Sequence, residues 1–135
     1  MSNKSKRLQK KVEEYNKRRA WECDHSLLGS IMMTLGHLNG TDYEKIYKDY
    51  NNIEKRLPAG DYSVKSLCDY FIETYYPIKE EYKKNLVLCL DKEKQYTPVV
   101  TIKTEEGLWP VSPDGVVRGV LVRPSRIEYE YIYDS

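Results

Sequence analysis

Long apolar runs are missing from this chain, and their absence excludes one broad class of protein. No stretch among the 135 residues approaches the roughly 18 consecutive apolar residues that a membrane-spanning helix needs. The basic N-terminus is followed by no apolar segment of the kind found in signal peptides. We therefore expect a cytoplasmic protein with no membrane partner, and the length suffices for one domain with a substantial core.

Cysteine and histidine are scarce as well. The three cysteines, Cys23, Cys68 and Cys89, are odd in number and show no pairing spacing, which favours reduced thiols in a reducing compartment. Neither C-x-x-C nor H-x-x-x-H occurs, so we predict no metal site. Gly-rich phosphate loops of the G-x-G-x-x-G or P-loop type are also missing, so no cofactor is expected.

The net charge of +1 conceals an uneven distribution. Residues 1–20 carry eight lysines and arginines against two glutamates, a net charge of +6, so the remaining 115 residues sum to −5. Such a segment is either a solvated helix or frayed terminus that packs on its own acidic domain, or a surface for an anionic partner, nucleic acid included. The candidate contact residues in it are Lys10, Lys11, Lys17, Arg18 and Arg19.

Phenylalanine is nearly absent, whereas tyrosine occurs thirteen times. Tyrosine joins a large apolar ring to a polar tip, which suits both protein interfaces and half-exposed core edges. On the last predicted strand Tyr129, Tyr131 and Tyr133 share one face and form a second candidate partner surface. Aromatic strands also stack RNA bases, but the neighbouring carboxylates of Glu128 and Glu130 would repel phosphates.

Periodicity predicts helices in the first part of the chain and strands in the second. Helices are predicted over 4–20, about 24–37, 43–57 and 63–75. Gly36 and Gly40 are expected to end the second helix, a capping box of Thr41 and Glu44 to open the third, and Ser63 to cap the fourth. Strands are predicted at 86–90, 98–103, 108–111, 116–122 and 127–133. This order favours an α+β fold with a mostly antiparallel sheet. We divide the chain into a basic N-terminal helix or arm, 1–20, and a single α+β domain, 21–135.

Cys23 directly precedes the apolar stretch that begins at Leu27. We therefore predict that it lies at a helix N-terminus, where the helix dipole stabilises a thiolate. Cysteines in that position are often nucleophiles, although a small buried thiol kept for packing is the simpler interpretation.

Several short stretches together resemble the papain-like cysteine peptidase fold. The stretches are Trp21-Glu22-Cys23 ahead of an apolar helix, Gly60–Leu67 opening a later helix, and Val99–Ile102 followed by Gly107-Leu108-Trp109 and Ser112-Pro113-Asp114-Gly115. They are most similar to the compact C39-like and transglutaminase-like group, some members of which are encoded by phages, and the resemblance spans roughly residues 20–122. It implies a papain-like arrangement with Cys23 as nucleophile and Asp114 as its supporting acid.

The family begins the strand that corresponds to Val99–Lys103 with its catalytic histidine, and this histidine is missing here. Thr97 and Pro98 stand where it is expected, before Val99. His25 points about 200° away from Cys23 on a helix, and His37 is some 20 Å along at about 1.5 Å per residue, so neither replaces it. Cys23 alone is therefore a thiol with no base to activate it and no general acid to protonate a leaving group.

Three hypotheses follow from the sequence. The first is a non-catalytic protein-binding module on a degenerate cysteine-peptidase-like scaffold, a phage or mobile-element inhibitor of a bacterial host protein or defence system. The second is an active cysteine peptidase or thiol hydrolase that uses Cys23 and Asp114. The third is a nucleic-acid-binding protein that uses the basic N-terminal arm.

Overall fold

The computed structural model describes residues 3–57, 60, 62–94, 97–105, 107–109 and 127–133. Within these ranges the helices come first: α1 (Asn3–His25), α2 (Leu27–Asn39), α3 (Tyr43–Arg56), α4 (Val64–Thr74) and the single turn α5 (Glu80–Lys83). The strands follow: β1 (Leu86–Asp91), β2 (Val99–Thr104), β3 (Gly107–Trp109) and β4 (Ile127–Tyr131). The predicted α+β order is confirmed. None of the helices in these ranges is long and apolar enough to cross a lipid bilayer.

The described strands form one sheet in the order β3-β2-β1-β4. Every neighbouring pair is antiparallel, as predicted, with Leu88 opposite Val100 and Cys89 opposite Tyr129. The last strand returns to lie beside β1, which leaves β3 and β4 at the two edges of the described sheet. The predicted strand 116–122 and the predicted turn 112–115 lie outside the described residues.

Helix α1 is longer than the predicted 4–20, because nothing between Ala20 and His25 breaks it. Its last turns are held by an ion pair between Arg18 and Glu22 at 3.9 Å and by the ring of His25 stacked on Trp21 with centroids 4.6 Å apart. The chain turns at Ser26, whose extended backbone separates α1 from α2. The boundary drawn after residue 20 therefore falls inside a continuous helix.

Helix α2 forms the centre of the core. Ile31, Met32 and Leu35 are fully buried on it, as their spacing predicted. The Ser26 hydroxyl caps its first turn by accepting from the Gly29 amide at 2.9 Å. Gly40 ends it with a left-handed φ of 88°, whereas Gly36, the other predicted end, lies inside the helix. Met33 of α2 belongs to the same core cluster, whose other members lie around the helix: Cys23, Ile46, Tyr50, Ile53, Leu67, Cys68, Phe71, Tyr76, Leu86 and Val100.

Two glycines allow α2 to approach its neighbours. A Cβ built on Gly29 would lie 1.7 Å from the carbonyl oxygen of Cys23, so the end of α1 packs directly against the α2 backbone. A Cβ on Gly36 would lie 2.5 Å from Cδ1 of Ile46, on α3. Both glycines are needed for close approach and not for a special backbone angle.

The caps of the next two helices differ in how well the sequence predicts them. The predicted capping box is wrong by one residue: Asp42 caps α3, accepting from the Lys45 amide at 3.0 Å, and Thr41 instead donates to Asn39 Oδ1 at 2.6 Å. A carboxylate at the N-cap also interacts with the helix dipole, which favours it over the hydroxyl. The Ser63 cap of α4 is confirmed, since its Oγ accepts from the Ser66 amide at 3.1 Å.

Two hydroxyls on α2 bond both backbone groups of Val100. The Thr34 hydroxyl donates to the Val100 carbonyl at 2.8 Å, and the Val100 amide donates to Ser30 Oγ at 3.0 Å. Ser30 and Thr34 are four residues apart and so lie one turn apart on the same face of α2. Val100 lies opposite Leu88 of β1, so the two hydroxyls attach α2 directly to the backbone of β2.

Candidate functional site

Cys23 lies in the last turn of α1 and is completely buried. The prediction that it lies at a helix N-terminus is therefore wrong, because α1 continues past it and α2 starts only at Leu27. The C-terminal end of a helix carries the negative end of the dipole, which disfavours a thiolate. A substrate has no path to a sulfur with zero exposure in this conformation.

The two histidines lie on the surface, unlike the thiol. His25 remains on α1, two residues beyond Cys23, and its Nδ1 bonds the carbonyl oxygen of Trp21 at 2.8 Å. His37 is exposed near the end of α2. Both placements agree with the prediction that neither histidine replaces the missing catalytic base. Asp114, the predicted supporting acid, lies outside the described residues.

A buried phenol lies in the same part of the core as Cys23. Tyr76 is fully buried, and its hydroxyl donates to Asp49 Oδ2 at 2.8 Å, the same oxygen that accepts from Lys45 Nζ at 3.0 Å. Burial raises the pKa of Tyr76 strongly, the bond to Asp49 adds to the rise, and Cys23 contributes further. The phenol is therefore held in its neutral form and serves as a hydrogen-bond donor, not as a base.

The other two thiols are packed in the same way. Burial raises the pKa of Cys68 to about 12, with Asp69 adding to the rise, and burial raises the pKa of Cys89 to about 11. Both stay protonated at neutral pH, where a buried thiol is inert. Over the described ranges no three His, Cys, Asp or Glu side chains come together in a way that could hold a metal ion.

The burial of Cys23 makes a direct prediction about its reactivity. Iodoacetamide should alkylate Cys23 in the native protein at least about 10³-fold more slowly than in urea, because exposure requires the core to open. Peptide mass spectrometry of a labelling time course measures both rates, and Cys68 and Cys89 provide buried internal references. Native labelling of Cys23 as fast as labelling of the unfolded chain would show an accessible thiolate and revive the thiol-enzyme hypothesis.

The first part of α1 extends away from the domain. We call residues 3–18 the α1 arm. Every side chain from Ser5 to Glu14 is exposed, over about 15 Å of helix at 1.5 Å per residue. Leu8 and Val12 are 65% and 49% exposed, although they lie on the side of the helix that farther along carries Tyr15, whose hydroxyl donates to Asn51 Oδ1 of α3 at 3.5 Å. The apolar stripe thus continues beyond the body that covers its other end.

The candidate cations of the arm are displayed on this exposed helix. Lys10, Lys11, Lys17 and Arg18 are all exposed, whereas the side chain of Arg19 is outside the described part of the structure. Arg18 is partly engaged, since it pairs with Glu22 and its guanidinium lies 5.4 Å from the ring centroid of Tyr15. The arm therefore combines a narrow apolar stripe with exposed positive charge, a pattern typical of helices that dock on other molecules.

The three tyrosines of the last predicted strand do not form one surface. Tyr129 and Tyr131 are 45% and 47% exposed, and their rings meet edge to face with centroids 6.0 Å apart. Tyr133 follows the end of β4 and is anchored to the body by a hydrogen bond from its hydroxyl to Asp69. Lys83 Nζ lies 4.7 Å from the ring centroid of Tyr133. Burial raises the pKa of Tyr133, and the hydrogen bond to Asp69 adds to the rise. Only the first two tyrosines are available to a partner.

One side of Tyr131 lines an open cleft of about 630 Å³. The cleft is lined by Glu81, Tyr82, Asn85, Ile102, Lys103, Thr104, Glu105 and Tyr131. We call it the Tyr131 cleft. The sequence does not predict this cleft, because its lining residues come from separate parts of the chain. The sheet order brings together the region of α5, the end of β2, and β4.

Trp21 is a further surface residue that periodicity does not identify as such. Its indole is 61% exposed, which is unusual for tryptophan, and it stacks on His25 with the ring planes 19° apart. Comparison of the chain with known protein families, curated proteins and solved structures finds no match to any of them.

Proposed function

We propose that this protein is a non-catalytic protein-binding module. The scaffold would be a degenerate cysteine-peptidase-like domain in a papain-like arrangement, and the biological role would be to inhibit a bacterial host protein or defence system on behalf of a phage or mobile element. The observation that carries the proposal is the α1 arm, which holds Leu8 and Val12 in solvent on a helix rich in exposed cations.

The energetics favour a partner for this arm. Burying a leucine or valine side chain that is otherwise exposed contributes roughly 1.5–3 kcal/mol, so the two apolar residues of the arm are available for an interface. Spacing of four residues places Leu8 and Val12 on one face, as in helices that bind in a groove of another protein. Exposed Tyr129, Tyr131 and Trp21 add side chains of the types enriched among residues that dominate binding energy.

The burial of Cys23 weighs against the thiol-enzyme hypothesis. The choice between a protein partner and nucleic acid depends on how charge and apolar residues are distributed along the chain. Glu13, Glu14 and Glu22 interrupt the positive charge of α1, and the rest of the chain is acidic overall. Both features oppose binding to a phosphate backbone. The apolar stripe adds nothing to phosphate binding but contributes directly to a protein interface.

A pull-down from nuclease-treated bacterial lysate tests the proposal. We expect the wild-type chain to retain a defined protein, and the variant L8A/V12A and the variant K10E/K11E/K17E each to lose at least about 90% of it, since truncating central contacts commonly costs more than about 1.4 kcal/mol, or tenfold. Quantitative mass spectrometry of the retained fraction measures this loss.

The matched control reverses three exposed lysines that lie outside the arm: Lys48, Lys84 and Lys92. This control changes the net charge by the same amount and should retain the partner. Failure of the wild type to retain any protein would contradict the proposal. Retention that is present in untreated lysate and disappears on nuclease treatment would also contradict it, and would favour nucleic acid as the partner.

A further inference from the structure

We propose that the chain associates with a second copy of itself, the α1 arm of each copy docking in the Tyr131 cleft of the other. The inference rests on the proposed function in taking the α1 arm as the docking element, and it adds a regulatory state in which the arm is occupied until a partner displaces it. Reciprocal exchange of the two arms gives a closed dimer with two-fold symmetry, in which every arm and every cleft is used.

The arm supplies apolar and positive groups side by side. Leu8 and Val12 form the stripe, and Arg7 and Lys11, also four residues apart and exposed, follow one flank of it. On the body of the same chain, α3 covers this helical side only as far as Tyr15. The remaining exposed stripe continues an interface that is already formed within the chain.

The cleft supplies apolar and negative groups, the complement of the apolar and positive groups on the arm. Ile102, 8% exposed, is the most buried of the lining residues, and the cleft also contains Tyr82 and Tyr131, the latter 47% exposed. Glu81 and Glu105 line the same cleft with exposed carboxylates, and over the described residues neither carboxylate forms an ion pair. The ammonium of Lys103 is held by the Thr104 carbonyl at 2.8 Å.

Charge complementarity selects the second copy as the occupant. A net charge of +6 on residues 1–20 faces −5 on the rest of the chain, so the arm of one copy is attracted to the body of another. Direct pairing of two arms would instead bring two segments of like charge together. The arm and the cleft have opposite charge, and both contain apolar residues. One polypeptide therefore carries both halves of the contact, and a second copy is sufficient to form it.

Analytical ultracentrifugation of the full chain tests the proposal without any partner. We expect a reversible monomer–dimer equilibrium whose association constant falls more than about tenfold between roughly 0.01 M and 1 M salt, over which the Debye length shrinks from about 30 Å to about 3 Å. The arm variant R7E/K11E and the cleft variant E81K/E105K should each weaken the dimer more than about tenfold, because each places like charges opposite one another. The four-residue charge swap should restore association to within about threefold of wild type.

Two controls separate this contact from general effects. K48E/K92E changes the net charge as much as the arm variant but at exposed sites outside the arm and cleft, and it should dimerise like wild type. L8A/V12A should weaken the dimer without any change of charge, and circular dichroism checks that each variant is folded. A monomer under all conditions, equal weakening by the control, or no rescue by the charge swap would overturn the proposal. A monomeric chain that still retains a lysate protein would overturn self-association alone and leave the proposed function standing.

Discussion

Replacing Gly29 with alanine is expected to destabilise the fold by at least about 3 kcal/mol, at the upper end of the cost of overpacking a core. The new Cβ would lie 1.7 Å from the Cys23 carbonyl oxygen. The backbone fixes the position of the Cβ, and the carbonyl is itself a backbone group, so neither can rotate away. Helix propensity alone predicts the opposite sign, since alanine favours a helix by about 1 kcal/mol over glycine. Urea denaturation followed by circular dichroism measures the change, or the loss of a folded baseline.

Two other glycines supply graded controls. At Gly36 the nearest atoms are Cδ1 and Cγ1 of the Ile46 side chain, at 2.5 and 2.8 Å, which can move, so G36A should cost about 1–2 kcal/mol. I46V should relieve this cost in part, because it removes Cδ1 and keeps Cγ1. At Gly60 the nearest atom is Tyr62 Cζ at 3.8 Å, an ordinary contact, and G60A should change stability by less than about 0.5 kcal/mol. A G29A variant as stable as G60A would show that α1 does not pack on α2 as described.

The second large effect is expected where α2 bonds the backbone of Val100. The variants S30A and T34V should each cost about 1–3 kcal/mol, because each leaves a buried backbone group of Val100 without its hydroxyl partner. Orphaned amides are rarer than orphaned carbonyls, so S30A should be the more harmful of the two. Since both hydroxyls hold one residue, the double variant should depart from additivity by at least about 0.5 kcal/mol.

A threonine in a similar local setting provides the comparison. The Thr74 hydroxyl also donates to a carbonyl, that of Tyr70, but on the exposed side of α4. T74V should therefore change the free energy of unfolding by less than about 0.5 kcal/mol. Equal effects of T34V and T74V would mean that the bond to Val100 contributes nothing beyond an ordinary helical hydroxyl.

The sequence predicts the elements of this fold better than their junctions. The apolar spacing of Ile31, Met32 and Leu35 requires a buried helix, and the short apolar run at Leu86 requires a buried strand, because each period fixes which side chains share a face. The junction at Ser26 is ambiguous, since Ala20 to His25 are compatible with either helix. In the structure these residues end α1, and the Cys23 carbonyl packs against Gly29 of α2, a contact that the local sequence pattern does not show.

The same junction decides the fate of the candidate nucleophile. A shift of about three residues in the start of α2 moves Cys23 from the positive end of one helix to the negative end of another. No local pattern around Cys23 contains that information, because it depends on how two helices pack. The sequence does not predict the Tyr131 cleft for a related reason, since the residues of the cleft lie on elements that become neighbours only in the assembled sheet.

The uninterrupted course of α1 from Asn3 to His25 has a consequence for recognition. Cys23 anchors the final turn of this helix in the core and so fixes the axis of the whole helix, which presents Leu8 and Val12 in a defined orientation before any encounter. A segment that folds only on contact loses about 2–5 kcal/mol of its interaction energy to ordering. A ligand of this protein meets a preorganised helix, and most of that entropic cost has already been incurred during folding.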